Sequence, residues 1–227
     1  MKLIMTFNYF EAEFLLKMAN ILEETIIFKD KKQKTKLYLL ELFDKKFYFA
    51  LLGITQVIAM PTLQRIIDKY EDIDDCLVFG SAGSYKENVG KLVLIDHLKY
   101  KSQLLNRFFE INVKLPKWIK KTNGLPKLEV FTSISVNDVE VVAPLAPHPP
   151  KGGATGLSSA KKSPLGANTC FDMETAELAY LLKLNKLSGV FFRIITDFGE
   201  IDFEEMKKVY SSQLDNLLKY MKAFLNQ

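Results

Sequence analysis

Arginine is scarce in this chain, which has 227 residues and a net charge of +4 at pH 7. It occurs only at Arg65, Arg107 and Arg193, so lysine carries most of the positive charge. Proteins that bind nucleic acid usually cluster arginine, because its planar guanidinium makes paired hydrogen bonds with phosphates and bases. The composition therefore argues against nucleic-acid binding.

Histidine and cysteine are also few. The two histidines, His97 and His148, lie far apart and form neither an HxxxH nor an HExxH spacing, so we expect no metal site and no cofactor. Cys76 and Cys170 are likewise distant from each other, and each adjoins an apolar segment. This pattern predicts buried, reduced thiols and a cytoplasmic protein.

No apolar run approaches the ~18 residues that a membrane-spanning helix needs. The N-terminal sequence MKLIMTFNYFEAE contains acids at Glu11 and Glu13, and no small-residue cleavage site follows it. We therefore expect no membrane association. The first residues are predicted to form a strand rather than a signal peptide.

Aromatic residues are absent between Val139 and Thr169, a segment that holds five of the eight prolines and four glycines. Such a segment buries too little apolar surface to offset the entropy lost on ordering. We expect a long mobile loop there, inserted into an otherwise well-packed domain.

The rest of the chain is rich in apolar residues, which make up 48% of the sequence. This content and length suit one domain with a full core. In the first third, Asn8 and Glu11 have the spacing of a capping box, and an apolar stripe predicts a helix from there to about Glu24. The strands predicted in this part are Lys2–Thr6, Thr25–Lys29, Thr35–Phe43 and Lys46–Gly53.

Helices and strands alternate in the remainder, which favours an α/β fold. The predicted helices are Thr55–Tyr70, Ser102–Ile111 and a C-terminal helix starting at Asp202. The predicted strands are Cys76–Phe79, Gly90–Asp96 and Leu128–Ser135. Between the first two of these strands, the small residues Gly80–Ser84 predict a turn that exposes backbone N–H groups to a ligand.

Two carboxylates mark the segment Asn168–Glu200. A helix is predicted to open on Asp172-Met173-Glu174, and an apolar strand, Val190–Thr196, ends on Asp197. The strand sequence VFFRII is too apolar to alternate, as expected of a strand covered on both faces. Ligands of α/β proteins bind at the carboxyl ends of strands, so Asp197 is a candidate site residue.

Three groups of residues carry a family resemblance. They are Met173-Glu174 followed by the strand FFRIITD, Phe79-Gly80-Ser81-Ala82-Gly83 followed by Val89–Val93, and Glu11-Ala12-Glu13-Phe14. Together they resemble the nucleoside phosphorylase and nucleosidase family, with the closest match to its 5′-methylthioadenosine/S-adenosylhomocysteine nucleosidases. The resemblance implies a three-layer α/β/α domain over residues 1–227 with a central mixed sheet. It also implies a small-molecule nucleoside substrate and a homodimer whose subunits complete each other's pocket. Phe108 and Phe109 are the candidates for the contributed apolar group, with a plain core position as the alternative.

The resemblance also implies a role for each matching residue in cleaving an N-glycosidic bond. Asp197 would protonate the departing base, and Glu13 would activate water. Glu174 would accept hydrogen bonds from the ribose hydroxyls, with Met173 packed against the sugar. The residues Ser81, Ala82 and Gly83 would contact the ligand or orient the acid.

Several alternatives remain open from the sequence. Helical geometry turns Glu11 nearer the centre of the apolar face than Glu13, so Glu11 is the second candidate for the base. A phosphorylase would need a phosphate pocket, but Ile4–Phe10 contains neither glycine nor arginine and no arginine is near Gly80–Gly90 in the sequence. Water is therefore the expected nucleophile. A relative that binds nucleosides without cleaving them is a further alternative, because 139–169 offers no ring to stack on a purine.

Overall fold

A computed structural model of the chain describes residues 1–29, 34–54, 56–84, 88–102, 107–121, 125–135, 168–197 and 202–227. The strands in these ranges are β1 (Lys2–Thr6), β2 (Asn20–Lys29), β3 (Lys34–Leu42), β4 (Lys45–Leu51), β5 (Asp75–Ser84), β6 (Leu92–Ser102), β7 (Arg107–Asn112), β8 (Glu129–Ser135), β9 (Thr169–Asp172) and β10 (Ser188–Asp197). The helices are α1 (Tyr9–Met18), α2 (Gln56–Lys69), α3 (Lys117–Lys121), α4 (Thr175–Leu184), α5 (Phe203–Ser212) and α6 (Leu214–Leu225).

One mixed sheet contains all of these strands. Strand β5 is its hub, because it pairs in parallel with β1 on one edge and with β10 on the other. The path β10–β6–β8–β9 returns to β5, so five strands close into a ring. The strands β4, β3 and β2 extend the sheet beyond β1, and β7 extends it beyond β6.

Two apolar cores lie on opposite faces of the sheet. Alternate residues of β1 divide between them, with Leu3 and Met5 in one core and Ile4 in the other. The first core is completed by α2 and α4, and the second by α1, α5 and α6. The predicted three-layer α/β/α architecture with a central mixed sheet is therefore confirmed.

Several local predictions are confirmed as well. Strand β1 has the predicted bounds, and β10 is buried on both faces along most of its length. The side chain of Asn8 caps α1 by accepting a hydrogen bond from the Glu11 N–H at 2.9 Å. Asp202 caps α5 in the same way, accepting from the N–H groups of Glu204 and Glu205.

The predicted end of the first helix is wrong. Helix α1 stops at Met18, and β2 begins two residues later, at Asn20. The apolar stripe continues through Ile21 and Leu22, but these residues belong to a long antiparallel ladder with β3. Backbone pairing with a neighbouring strand outweighs the local helical pattern here.

Two predictions in the middle of the chain are also wrong. Gly80–Ser84 is not a turn but the last part of β5, held by β10 on one edge and β9 on the other. The helix predicted at Ser102–Ile111 is replaced by β7, whose sequence RFFEIN pairs antiparallel with β6. Aromatic and β-branched residues favour this pairing once a neighbouring strand is available.

Nearly all of the loop predicted at 139–169 lies outside the described residues; only Asn168 and Thr169 fall within them, and Thr169 starts β9. The side chains of Phe108 and Phe109 are also outside the description. Among the helices of the described ranges, none is long and apolar enough to cross a membrane.

Candidate active site

The candidate site lies where β5 and β10 end side by side. In their parallel register, Ile194 is paired with Ser81 and Asp197 with Gly83, with a register shift between Ile195 and Asp197. Because parallel strands carry their carboxyl ends to the same edge of a sheet, two predicted site residues from distant parts of the sequence are brought together. Helix α1 and the β9–α4 junction supply the other side chains.

Glu11 is the carboxylate that α1 places against β5. Its side chain is buried, and Oε1 accepts hydrogen bonds from both the N–H and the hydroxyl of Ser81, each at 2.7 Å. Oε2 accepts from the Thr6 hydroxyl at 2.7 Å and from the Phe7 N–H at 3.4 Å. Four donors from two adjacent strands and the turn after β1 therefore fix the orientation of this carboxylate.

Glu13 points away from this cluster. Its side chain is 45% exposed and pairs with Lys17 one turn further along the helix, at 2.8 Å. The hydrogen bond from Lys17, together with the charge of that lysine, lowers the pKa of Glu13. The geometry does not support the assignment of Glu13 as the base and favours Glu11, as the helical phase of α1 indicated.

Asp197 ends β10 directly beside Gly83. A Cβ atom at Gly83 would lie 3.0 Å from Asp197 Oδ1, so the missing side chain is what allows this close approach. The Thr196 hydroxyl donates to Asp197 Oδ2 at 3.1 Å. Asp197 thus stands at the same strand end as Ser81, whereas Ala82, which was predicted to contact the ligand, is buried in the first core.

Met173 and Glu174 join β9 to α4. Strand β9 runs antiparallel to β5, with Phe171 opposite Gly83, so the residues after it continue back along β5. Glu174 is buried and Met173 is half-buried. This path leads Met173 and Glu174 toward the part of β5 that contains Ser81.

Asp172 anchors the junction. Its Oδ1 accepts from the N–H groups of Glu174 at 3.1 Å and Thr175 at 2.9 Å, which caps α4. The hydroxyls of Ser133 and Ser135 also donate to it, at 2.5 and 2.9 Å. These bonds lock the backbone that presents Met173 and Glu174.

Arg193 is the site residue that the sequence reasoning missed. It lies inside β10, only 1% exposed, and its Nε is 3.4 Å from Asp172 Oδ2. It also donates to the Thr175 hydroxyl and to the Phe192 carbonyl, and its guanidinium lies 5.2 Å from the centre of the Phe7 ring. Burial alone would raise the pKa of Asp172, but the Arg193 charge and the hydroxyl hydrogen bonds outweigh it and hold that pKa below its usual value.

A signal for Arg193 was present in the sequence. An arginine in a strand covered on both faces must have buried partners, because an unpaired buried charge is very costly. The sequence prediction looked for arginine near Gly80–Gly90 along the chain, whereas Arg193 reaches Gly80 across the sheet.

Gly80 lies between the two halves of the site. A Cβ atom there would be 3.1 Å from Glu11 Oε1 and 3.2 Å from Arg193 Nη1. The Glu11 carboxylate and the Arg193 guanidinium therefore share the space above a residue without a side chain. This arrangement combines a fixed carboxylate and a fixed cation with the carboxyl group of Asp197 at the end of the neighbouring strand.

The arrangement suits acid–base chemistry on a neutral organic ligand. It offers one carboxyl group that can take a proton, another that can give one, and a buried cation on the Gly80 side of the first. In the described parts of the chain, no three histidine, cysteine or acidic side chains gather as ligands of a metal ion.

Comparison with known proteins gives matches by structure. No family profile matches the chain, and no curated protein matches its sequence. It is similar to a 5′-methylthioadenosine nucleosidase from Arabidopsis thaliana, with a TM-score of 0.70 and 15% identity over 99% of this chain and 95% of the other. An MTA/SAH nucleosidase from Streptococcus pneumoniae, solved with 8-aminoadenine, gives a TM-score of 0.71 and 14% identity over 98% and 99%.

A futalosine hydrolase from Helicobacter pylori also matches, with a TM-score of 0.68, 15% identity and coverage of 99% of this chain and 98% of the other. At these identities the matches concern the fold, which the three enzymes share over nearly their whole length. The chain has the nucleoside phosphorylase-like α/β fold of the MTA/SAH nucleosidases.

Proposed function

We propose that the protein hydrolyses the N-glycosidic bond of 5′-methylthioadenosine or S-adenosylhomocysteine and releases adenine. The observation that carries the proposal is that two carboxyl side chains lie against the end of β5, Glu11 bound to Ser81 and Asp197 set against Gly83. The likeness of the fold to nucleosidases that bind adenine analogues supports it.

The proposed reaction begins with nucleoside bound over the end of β5. Asp197 protonates N7 of the adenine ring, so the electron pair of the C1′–N9 bond can leave with the base. Positive charge develops on the ribose, whose hydroxyls donate hydrogen bonds to Glu174 while Met173 packs on the sugar. Glu11 takes a proton from water, whose oxygen then bonds to C1′.

Arg193 acts as a positioning residue in this scheme. Its bonds to Asp172 and Thr175 fix the position of the start of α4, and with it Glu174, relative to β10. Its guanidinium also stays next to the Glu11 carboxylate across Gly80.

The direct test is adenine release from purified protein. 5′-methylthioadenosine, S-adenosylhomocysteine and futalosine are each incubated with the protein, with and without phosphate. We expect phosphate-independent release of adenine from at least one of the first two. Release that requires phosphate would make the protein a phosphorylase, and calorimetric binding without release would make it a non-catalytic nucleoside-binding protein.

Asp197→Asn tests the acid. The amide cannot supply the proton, so kcat should fall by about 10²–10⁴-fold while the fold is retained. Circular dichroism and nucleoside binding serve as controls for folding and for an intact pocket. Turnover within a few-fold of the unchanged protein would remove Asp197 from the mechanism.

The proposal includes a cytoplasmic homodimer built from residues 1–227 as one domain. Both cysteines are buried free thiols, which suits a reducing compartment. Helices α2 and α4 lie side by side, joined by a 3.2 Å bond between Gln64 and Asn185, and each exposes apolar side chains. A second copy of the chain is the partner that these helices would pack against.

A further inference from the structure

A cleft of about 540 Å³ opens at the end of the sheet opposite the candidate active site. It lies over the amino ends of β5 and β10, where Asp75 and Ser188 form the first pair of their ladder, whereas Gly83 and Asp197 form the last. At about 3.3 Å per residue, the eight residues from Asp75 to Gly83 separate the two places by roughly 26 Å. The cleft is therefore a separate feature from the nucleoside site.

The floor of this cleft is apolar. It is formed by the buried side chains of Leu182, Phe191 and Phe224, and Trp118 stands beside them with its ring centre 6.1 Å from that of Phe224. A Cβ atom at Gly189 would lie 2.8 Å from Leu182 Cδ1, so the absence of a side chain there lets Leu182 settle into the floor. A concave site of a few hundred Å³ with an aromatic wall is typical of small-molecule binding.

The rim of the cleft is basic. Four exposed lysines line it, Lys114 and Lys117 near the start of α3 and Lys183 and Lys186 near the end of α4. Within the described part of the chain, none of these four exposed lysines forms an ion pair. The one acid in the lining, Asp75, is already bound by Lys2 at 2.6 Å. Positive charge is thus concentrated around an apolar floor without local neutralisation.

We propose that this lysine-rimmed cleft binds a small organic anion with a flat apolar body. The ring system packs on Leu182 and Phe191 beside Trp118, and a carboxylate, sulfonate or phosphate group pairs with the lysines. The apolar floor disfavours a fully hydrophilic anion, and the four lysines disfavour a cation. A concave volume of about 540 Å³ suits a small molecule better than an acidic polypeptide, whose binding would need a surface of roughly 800 Å² per partner.

Trp118 makes this proposal directly measurable, because it is the single tryptophan of the chain. The probes are 8-anilinonaphthalene-1-sulfonate, which is an aromatic anion, and N-phenyl-1-naphthylamine, which has the same rings and no charge. We expect the anionic probe to quench Trp118 emission saturably, at least about tenfold more tightly than the uncharged one. Its affinity should also fall as salt is raised from 0.05 to 0.5 M, since exposed charges are screened.

Two matched double variants distinguish the effect of charge at the cleft from the effect of the protein's net charge. Lys183→Gln/Lys186→Gln should weaken the anionic probe by about tenfold, the combined effect of two exposed charge pairs. Lys45→Gln/Lys46→Gln removes two exposed lysines at the β3–β4 turn that do not line the cleft, and should leave its affinity unchanged. Equal binding of both probes, or unchanged anion affinity in the Lys183/Lys186 variant, would overturn the proposal.

Adenine release is the control for independence from the nucleoside site. Both double variants should hydrolyse nucleoside at the rate of the unchanged protein. A large loss of hydrolysis rate in Lys183→Gln/Lys186→Gln alone would show that these lysines support the active site. That result would also overturn the proposal of a separate anion site.

Discussion

Glu11 and Glu13 are two positions apart on α1 and lie in different surroundings. Glu11 is buried against Ser81 and Thr6, and Glu13 is paired in solvent with Lys17. An ungapped match to the family's Glu-x-Glu-apolar motif assigns the role of the base to Glu13, because such a match depends only on position along the sequence. The 3.6-residue helical period pointed to Glu11, and the contacts of the folded chain agree with it.

Glu11→Gln and Glu13→Gln therefore form a matched pair. The amide at position 11 cannot accept a proton from water, so kcat should fall by about 10²–10⁴-fold. The change at position 13 removes a solvent-exposed ion pair and should leave kcat within a few-fold. Adenine release measures both, and the reverse order of effects would restore the assignment of Glu13.

Glu177, in the first turn of α4, gives a pH-dependent prediction. Its carboxylate oxygens are buried with no hydrogen-bond partner in the described ranges. Burial raises its pKa to about 8, and the charges of Asp172 and Glu174 add to the effect. In the unfolded chain a glutamate has a pKa near 4.3, so between about pH 4.3 and 8 the folded state holds a proton that the unfolded state releases.

The stability contributed by this proton is present at low pH and is lost as the pH rises toward 8, by about 1.4 kcal/mol per unit. Glu177→Gln cannot titrate, so its Tm should exceed that of the unchanged protein by an amount that grows from pH 5 to pH 8. Glu204→Gln, at an exposed position of α5, is the control and should show no such trend. A Tm difference that stays constant with pH would contradict the buried, protonated state of Glu177.

At the scale of elements, the site lies at the end of β5 because glycine residues there leave room for side chains from the neighbouring elements. Gly80→Ala would place a methyl group about 3 Å from the Glu11 carboxylate and the Arg193 guanidinium. Both groups would have to move by a few tenths of an ångström, and small displacements of catalytic groups cost up to about 10²-fold in rate. We expect kcat to fall by about 10–100-fold with a small change in Tm. A variant with full activity would show that Gly80 does not set the spacing of the site.

Elements that are buried on both sides were predictable, since an uninterrupted apolar run such as VFFRII has few alternatives to a central strand. Elements whose identity depends on a neighbour were not. The sequence RFFEIN fits a helix or a strand by itself, and only pairing with β6 makes it β7. The same holds for Ile21 and Leu22, which complete an apolar helical stripe but lie in β2, where Ile21 pairs with Leu40 of β3 and Leu22 falls at a register shift.

The candidate site was predictable in part for a similar reason. Ser81, Asp197 and Glu174 lie close to recognisable strand ends, and the fold brings them toward one edge of the sheet. Arg193 was not identified because its partners, Asp172 and Thr175, come from another element. Contacts across the sheet leave little trace in local sequence spacing.

For the whole molecule, the exposed apolar side chains of α2 and α4 predict self-association. Val57, Tyr180 and Leu184 are 82%, 55% and 61% exposed. Analytical ultracentrifugation should show a dimer, and Leu184→Asp should shift it toward monomer because a charge would be buried in the interface. Met18→Asp replaces another exposed apolar residue, at the end of α1, and should leave the dimer intact. A monomer for the unchanged protein would refute the proposed dimer.

The ring of strands around β5 has a consequence for how the chain reaches its native state. Strand β10 follows β5 by more than a hundred residues in the sequence and pairs with both β5 and β6. During synthesis, β5 and β6 therefore lack this partner until β10 has been made. Contacts between residues so distant in sequence slow folding, and unpaired strand edges can associate with other chains in the meantime. A nascent chain that stops before Ser188 would expose one edge of β5 and lack both Arg193 and Asp197. Catalytic competence should therefore be acquired late, in the same step that seals the sheet against aggregation.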